Sequence, residues 1–323
     1  MLKRKIIHYI ILLCAMITLD FFFPRLMPGS PVSRIVGEDT GDLTVEQRAQ
    51  IVEFYELDKP ITEQFAGFIK NTVTLNWGTS YSKKQPVFDL LKNALPWTLL
   101  LAGCNLVLST LVGTFIGSLS AFLRKKRKDI GIVLGLMLVG TLPSFWIGMV
   151  MISVFSVRLG WFPLYGAYSL WGNNTGIAYF LDVIRHLALP VTTMLIVSIT
   201  IFFTTSRYSV LNTMEQNYVD MARIRGIQSK KIKSHYIIRN SLIPVFTVFM
   251  MELGFVLGGS IVIERLFSYP GIGLLLYDAV SARDYPLMQY TFLITSVMVI
   301  LTTFLADVLN KKIDPSMEAS YEE

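Results

Sequence analysis

YVDMARIRGIQSKKIKSHYIIRNSLIP, residues 218–244, is a polar and strongly basic stretch set between long apolar runs. Its neighbours on both sides are too hydrophobic for the surface of a soluble domain, so the stretch belongs at a membrane surface. Good helix formers lead up to Gly226, a residue type that readily takes the left-handed conformation ending a helix. Ser229 is placed to cap a second helix running to about Arg239. The expected product is two short helices meeting at a glycine corner. Val219, Ala222 and, with poorer spacing, Ile224 and Ile227 give the first helix an apolar edge; Ile232, Tyr236 and Ile237 do the same for the second. Such an elbow is too polar to cross a bilayer and more amphipathic than a solvated loop requires. Three roles fit it on physical grounds alone: docking of a cytoplasmic partner, contact with anionic lipid, or a basic loop that only sets topology.

The flanking runs decide the class. Of 323 residues, 53% are hydrophobic and only 16% charged, whereas charged residues make up about a quarter of an average soluble protein. A helix needs roughly 20 mostly apolar residues to cross the hydrocarbon core, and six runs are candidates: 6–23, 97–123, 130–157, 187–205, 242–263 and 288–309. Lys3-Arg4-Lys5, RKKRK at 124–128, the elbow and Lys311-Lys312 all fall on one side if the spans alternate. Short connections rich in Lys and Arg stay cytoplasmic. The expectation is an all-α integral membrane protein with six transmembrane helices and both termini cytoplasmic. Residues 1–26 form a tail and the first span, 27–95 an extracytoplasmic insertion, 96–311 a five-helix core carrying the elbow, and 312–323 a cytoplasmic tail. In the insertion, Asp42 or Thr44 is placed to cap a short helix with Val45, Ile51, Val52 and Tyr55 near helical spacing. Trp161, Phe162, Tyr165 and Trp171 suit the outer interface, where amphipathic rings prefer to sit.

Several functions are set aside by the same residues. The net charge of +6 sits beside apolar runs, where bilayer orientation accounts for it better than nucleic acid does. Cys14 and Cys104 lie inside apolar runs and behave as small hydrophobes, so neither disulfide nor metal chemistry is expected. The first run is long and lacks a small-x-small cleavage site, which predicts a retained signal anchor. No Gly-Lys pair occurs, so the chain has no phosphate-cradling G-x-x-x-x-G-K-[ST] loop and is not expected to hydrolyse ATP. Ser260 follows Gly258 and Gly259 in an apolar run, but His8, His186 and His235 all lie near span ends and leave a serine nucleophile without a base. No catalytic residue is assigned.

Polar groups inside spans are costly and often functional. Glu252 lies near the middle of the fifth run, beside the series Gly254, Gly258, Gly259. It either lines a translocation path, favouring a cationic group on the substrate, or bonds to a neighbouring helix. Asn105 poses the same choice in the second run, and Asn105, Glu252, Gly258 and Gly259 are the path candidates. Asp20 with Arg25, and Asp307 with Lys311, read as structural pairs. Pro143, Pro190 and Pro244 are expected to bend or start their helices.

Tyr218-Val219-Asp220-Met221-Ala222-Arg223 with Gly226, followed by Arg239-Asn240-Ser241-Leu242-Ile243-Pro244, resembles the EAA loop of ABC-importer permeases. It is most similar to the form found in the dipeptide, oligopeptide and nickel permease family, where a Gly and a Pro 18 positions apart mark the loop, as Gly226 and Pro244 do here. LMPGSPV (26–32), NWGTSYSKKQPVFDLL (76–91), LGWFPLYG (159–166), LFSYPGIGLLLYDAVSARDYPLMQ (266–289) and ADVLNKKIDP (306–315) extend the resemblance over nearly the whole chain. The large segment after the first run points to the B-type member of the permease pair. The resemblance implies a type I ABC importer fold in the bacterial cytoplasmic membrane, paired with a homologous second permease. It further implies two cytoplasmic ATPase subunits that bind ATP and Mg, an extracytoplasmic substrate-binding protein, and no cofactor in this chain. Tyr218, Asp220, Met221, Ala222, Arg223, Gly226, Lys230 and Lys231 would then couple the permease to an ATPase. Asp220 and Met221 stand where Glu and Ala are commonest; Asp keeps the negative charge and Met is apolar. Peptides, nickel chelates and some oligosaccharides all use permeases of this kind.

Overall fold

The computed structural model describes residues 2–26, 44, 46, 49, 59–169, 175–256, 261–282 and 284–313. The helices are α1 (Leu2–Leu26), α2 (Ile61–Val73), α3 (Val87–Phe122), α4 (Arg127–Gly140), α5 (Ser144–Met151), α6 (Gly176–Met214), α7 (Asn217–Ile224), α8 (Ser229–Lys231), α9 (Arg239–Val256), α10 (Ile261–Leu266), α11 (Ile272–Ser281) and α12 (Tyr285–Ile313). Wide π-helical turns continue α5 over Ile152–Arg158 and join α8 to α9 over Ile232–Ile238. Among the described residues, four helices are long and apolar enough to cross a membrane: Val87–Phe122, Gly176–Met214, Ser229–Gly254 and Tyr285–Leu309. A bent pair brings the number to five, and the apolar part of α1, Ile6–Phe22, is shorter than these.

The spans differ from the apolar runs in instructive ways. The run 130–157 is not one straight helix: α4 and the helix Ser144–Arg158 meet at 96°. Pro143 causes the break, because it has no N–H to donate and holds the residue before it away from helical geometry. Pro190 and Pro244, by contrast, lie inside α6 and α9. α3 begins ten residues before the apolar run, and α6 extends beyond its run at both ends; a helix continues past hydrocarbon wherever its backbone bonds are kept. The run 242–263 is divided between α9 and α10, and Gly258, Gly259 and Ser260 lie outside the described residues. So do Trp171, the tail from 314 onwards and, apart from Thr44, Glu46 and Ala49, the stretch 42–57 expected to carry the capped helix.

The chain divides into two units, and α3 and α12 run through both. In the first, Met1–Leu99 with Leu257–Leu301, the core is aromatic. Trp77 stacks on Tyr290 at 5.1 Å, and Phe21 meets Phe65 and Phe68. Arg25 does not reach back to Asp20 in the way its spacing predicts. Its guanidinium lies 3.6 Å over the Phe21 ring and donates to Gln64 Oε1 of α2 at 2.9 Å and to the Phe21 carbonyl at 2.8 Å. Asp284, fully buried, gathers the turn before α3: Ser80 Oγ, Ser82 N and Ser82 Oγ all donate to its Oδ2, at 2.5, 2.9 and 2.7 Å.

In the second unit, Leu100–Val256 with Thr302–Glu323, α3 and α6 touch backbone to backbone. A Cβ on Gly113 would lie 2.7 Å from Phe202 Cβ, and one on Gly117 would lie 2.5 Å from the Phe203 carbonyl oxygen. Such close approach through small residues is how helices associate in lipid, where no hydrophobic force drives them together. Gly254 plays the same part between α9 and Thr303 of α12.

Candidate coupling elbow and membrane-embedded polar groups

The basic stretch folds as two helical pieces meeting at Gly226. The corner is a Schellman closure: Gly226 N donates to the Arg223 carbonyl and Ile227 N to the Ala222 carbonyl, at 3.0 and 3.2 Å. Gly226 has φ +72°, the left-handed region predicted for it. Ser229 does not cap the second piece. Gln228 takes the capping position without a side-chain bond, and its carbonyl accepts from Ile232 N, so the helix starts one residue earlier in the bonding pattern.

The elbow has two faces. Inward, Val219 and Ala222 of α7 pack with Ile232 and Ile237, with Val210 of α6 and with Ala121 of α3, while Ile227 and Tyr236 close the edges. This is the apolar edge expected from spacing, except at Ile224, which points away and is 79% exposed. Met221 is 58% exposed beside it. The outward face therefore carries two large apolar side chains among Arg223, Arg225, Lys230 and Lys231, all exposed. Arg223 pairs with Asp220 at 2.8 Å on the surface. Tyr218 has a different part: its hydroxyl accepts from Asn240 Nδ2 at 3.0 Å and so ties α7 to the start of α9.

Sequence reasoning missed a buried polar group whose Ser120 adjoins this apolar pocket at Ala121. Asp129, in the first turn of α4, is buried and accepts from Arg207 Nη2 of α6 at 2.9 Å and from Ser120 Oγ of α3 at 2.5 Å. Arg207 Nε also reaches Ser120 Oγ at 3.1 Å. The available signal was an acid inside a basic turn and an arginine two residues beyond the apolar run 187–205.

Among the path candidates, Asn105 is buried and donates from Nδ2 to Ser198 Oγ of α6 at 3.2 Å, while its Oδ1 has no hydrogen-bond partner. Glu252 is half-buried on α9. Gly258 and Gly259 lie outside the described residues, as does the side chain of Lys311 that was expected to meet Asp307. Among the described residues no group of His, Cys, Asp and Glu is arranged to hold a metal ion.

Residues 113–319, which include the elbow and the Asp129 group, match the family of binding-protein-dependent transport system inner membrane components. The chain belongs to this family. Its members are transport permeases of the inner membrane rather than enzymes. Relatives match beyond the family segment. The chain is 32% identical to the di/tripeptide transport system permease protein DppB of Pseudomonas aeruginosa over 90% of each chain. It is 32% identical to the oligopeptide transport system permease protein AppB of Bacillus subtilis over 98% of each, and to the glutathione transport system permease protein GsiC of Pectobacterium atrosepticum over 97% of each.

Proposed function

We propose that this chain forms half of the translocation pathway of an ATP-driven importer for peptides or a similar solute. The relatives' names supply the substrate class: they are permeases for di- and tripeptides, oligopeptides and glutathione. The observation that carries the mechanism is the two-faced elbow. Its inner face is fixed to α3 and α6 through Ala121 and Val210, while Met221 and Ile224 stand exposed outside it among basic residues. An exposed apolar pair with a cationic rim is what a partner protein's groove covers. In this reading an ATPase subunit, which binds ATP and Mg, takes the elbow and turns nucleotide-driven closure into rigid-body rearrangement of the spans.

The remainder of the assembly follows the same reading. A homologous second permease completes the pore, a second ATPase takes its elbow, and an extracytoplasmic binding protein delivers the substrate. The four long helices, the bent pair and α1 make six spans with both termini cytoplasmic, and residues 27–95 form the outer insertion. Asn105, Glu252, Gly258 and Gly259 are assigned to the path; the unpartnered Asn105 Oδ1 supports this. The test is purification of the tagged chain from membranes, followed by reconstitution with its partners. ATPase subunits should co-purify, and peptides from a casein digest should accumulate in vesicles only with ATP. Uptake driven by an ion gradient without any associated ATPase would identify a secondary transporter instead.

A further inference from the structure

The elbow can act on the spans only if something makes them follow it. Besides the chain itself and the Tyr218–Asn240 bond, the elbow is packed on α3 and α6 by one set of contacts, and a second set holds those helices together. One is the apolar pocket of Ala121, Val210, Val219, Ala222, Ile232 and Ile237. Such packing resists compression but permits sliding. The other is the Asp129–Arg207–Ser120 group, two of whose residues stand next to, or one turn from, the pocket's own members: Ser120 precedes Ala121, and Arg207 precedes Val210 by three positions. It is directional, because Arg207 bonds both carboxylate oxygens of Asp129, through Nη2 at 2.9 Å and Nε at 3.3 Å. It also joins three helices at one point and fixes the first turn of α4, just after a tight turn in which Lys125 has φ +69°; farther along, α4 meets α6 again where Thr200 Oγ1 donates to the Leu136 carbonyl at 3.3 Å. The pair is shielded, the Asp129 side chain being 6% exposed, so a break would leave a buried charge unpaired. The neighbouring Arg124–Glu215 pair at 2.6 Å is exposed on both sides and has no such leverage.

We propose that the Asp129–Arg207–Ser120 bridge is the latch that makes α3, α4 and α6 move as one body with the elbow, so that ATP hydrolysis is converted into transport. Asp129, Arg207 and Ser120 are positioning residues: they touch neither nucleotide nor substrate. The inference rests on the proposed function, since a latch for the elbow has meaning only if an ATPase drives it.

The test uses the full complex in proteoliposomes, with peptides of a casein digest as the transport probe. Subunit stoichiometry, basal ATP hydrolysis and peptide uptake per ATP are read for Asp129→Asn, Ser120→Ala, the exchanged pair Asp129→Arg with Arg207→Asp, and Arg124→Ala as the exposed-pair control. Asp129→Asn should assemble with wild-type stoichiometry and hydrolyse ATP, while uptake per ATP falls roughly 5- to 30-fold, within the range typical of coupling between linked sites. The exchanged pair should restore much of the ratio, Ser120→Ala should lose less of it, and Arg124→Ala should match wild type. A wild-type ratio in Asp129→Asn overturns the proposal. So does failure of Asp129→Asn, Ser120→Ala and the exchanged pair alike to assemble, which would assign the group to folding alone. Absence of ATPase subunits from the wild-type preparation would instead refute the proposed function.

Discussion

Replacing Glu264 by Ala should open the outer turn that it organises. Glu264 is fully buried within α10. Its Oε1 accepts from Thr98 Oγ1 at 2.9 Å, and Oε2 accepts from Leu274 N at 3.0 Å, with Gly273 N a further donor. Thr98 Oγ1 in turn accepts from Ile272 N at 2.7 Å, so one carboxylate and one hydroxyl satisfy the first N–H groups of α11. Alanine leaves three buried donors without an acceptor, each at about 1–3 kcal/mol, or roughly 3–6 kcal/mol together after partial relaxation. Hydrogen exchange of α11 amides should then accelerate by at least about 100-fold, since each 1.4 kcal/mol of local opening is about tenfold. Glutamine keeps an oxygen for the N–H groups and an amide that can donate to Thr98, so Glu264→Gln should change protection far less. Burial pushes the Glu264 carboxyl above its ordinary value of 4.5, and the Leu274, Thr98 and Gly273 bonds oppose but do not cancel this. Protonation therefore favours the folded unit. The associated stability is fully present below pH 4.5 and is lost as pH rises through the higher folded value, a dependence that the Gln variant should lack. Unchanged protection in the Ala variant, or equal damage from Gln and Ala, would refute this account of the turn.

Other substitutions separate conformation from contact. Nothing lies within 4 Å of a Cβ built on Gly226, so Gly226→Ala should weaken the elbow only through its left-handed backbone, by about 1 kcal/mol. Gly226→Asn, which tolerates that conformation, should keep more binding-protein-stimulated ATP hydrolysis than Gly226→Ala. Gly117→Ala places a methyl against the backbone of α6 and should lower the unfolding temperature of the purified chain, at a cost of about 1–3 kcal/mol. Glu252→Gln should reduce uptake of Lys- and Arg-containing peptides relative to neutral ones from the same digest. Equal uptake of both classes would assign Glu252 to helix packing.

Local chemistry was legible in the sequence where one residue type answers one need. Gly226 announced the corner because few other residues take its φ. Pro143 was readable as a break but not as a bend of 96°, since the angle depends on what the two halves pack against. Ser229 misled because capping preference is weak beside the backbone bond from Ile232 N to the Gln228 carbonyl. Glu264 with Thr98, Asp284 with Ser80, and Asp129 with Arg207 were invisible. Their partners lie 166, 204 and 78 positions apart, and periodicity says nothing about which helices meet. Ile224 failed for a related reason: helical spacing does not say which apolar side chains the neighbouring helices cover, and this one stays exposed.

The most direct measurement is site-specific cross-linking in membrane vesicles containing the whole complex, with Cys14 and Cys104 replaced and single cysteines introduced at 219, 221 and 224. The account predicts that Met221→Cys and Ile224→Cys cross-link to an ATPase subunit, because both side chains stand exposed on the outward face. Val219→Cys, buried against α3 and α6, should not. Cross-linking at 219 alone, or at none of the three while ATP-driven uptake continues, would contradict the claim that this elbow couples the permease to its ATPase.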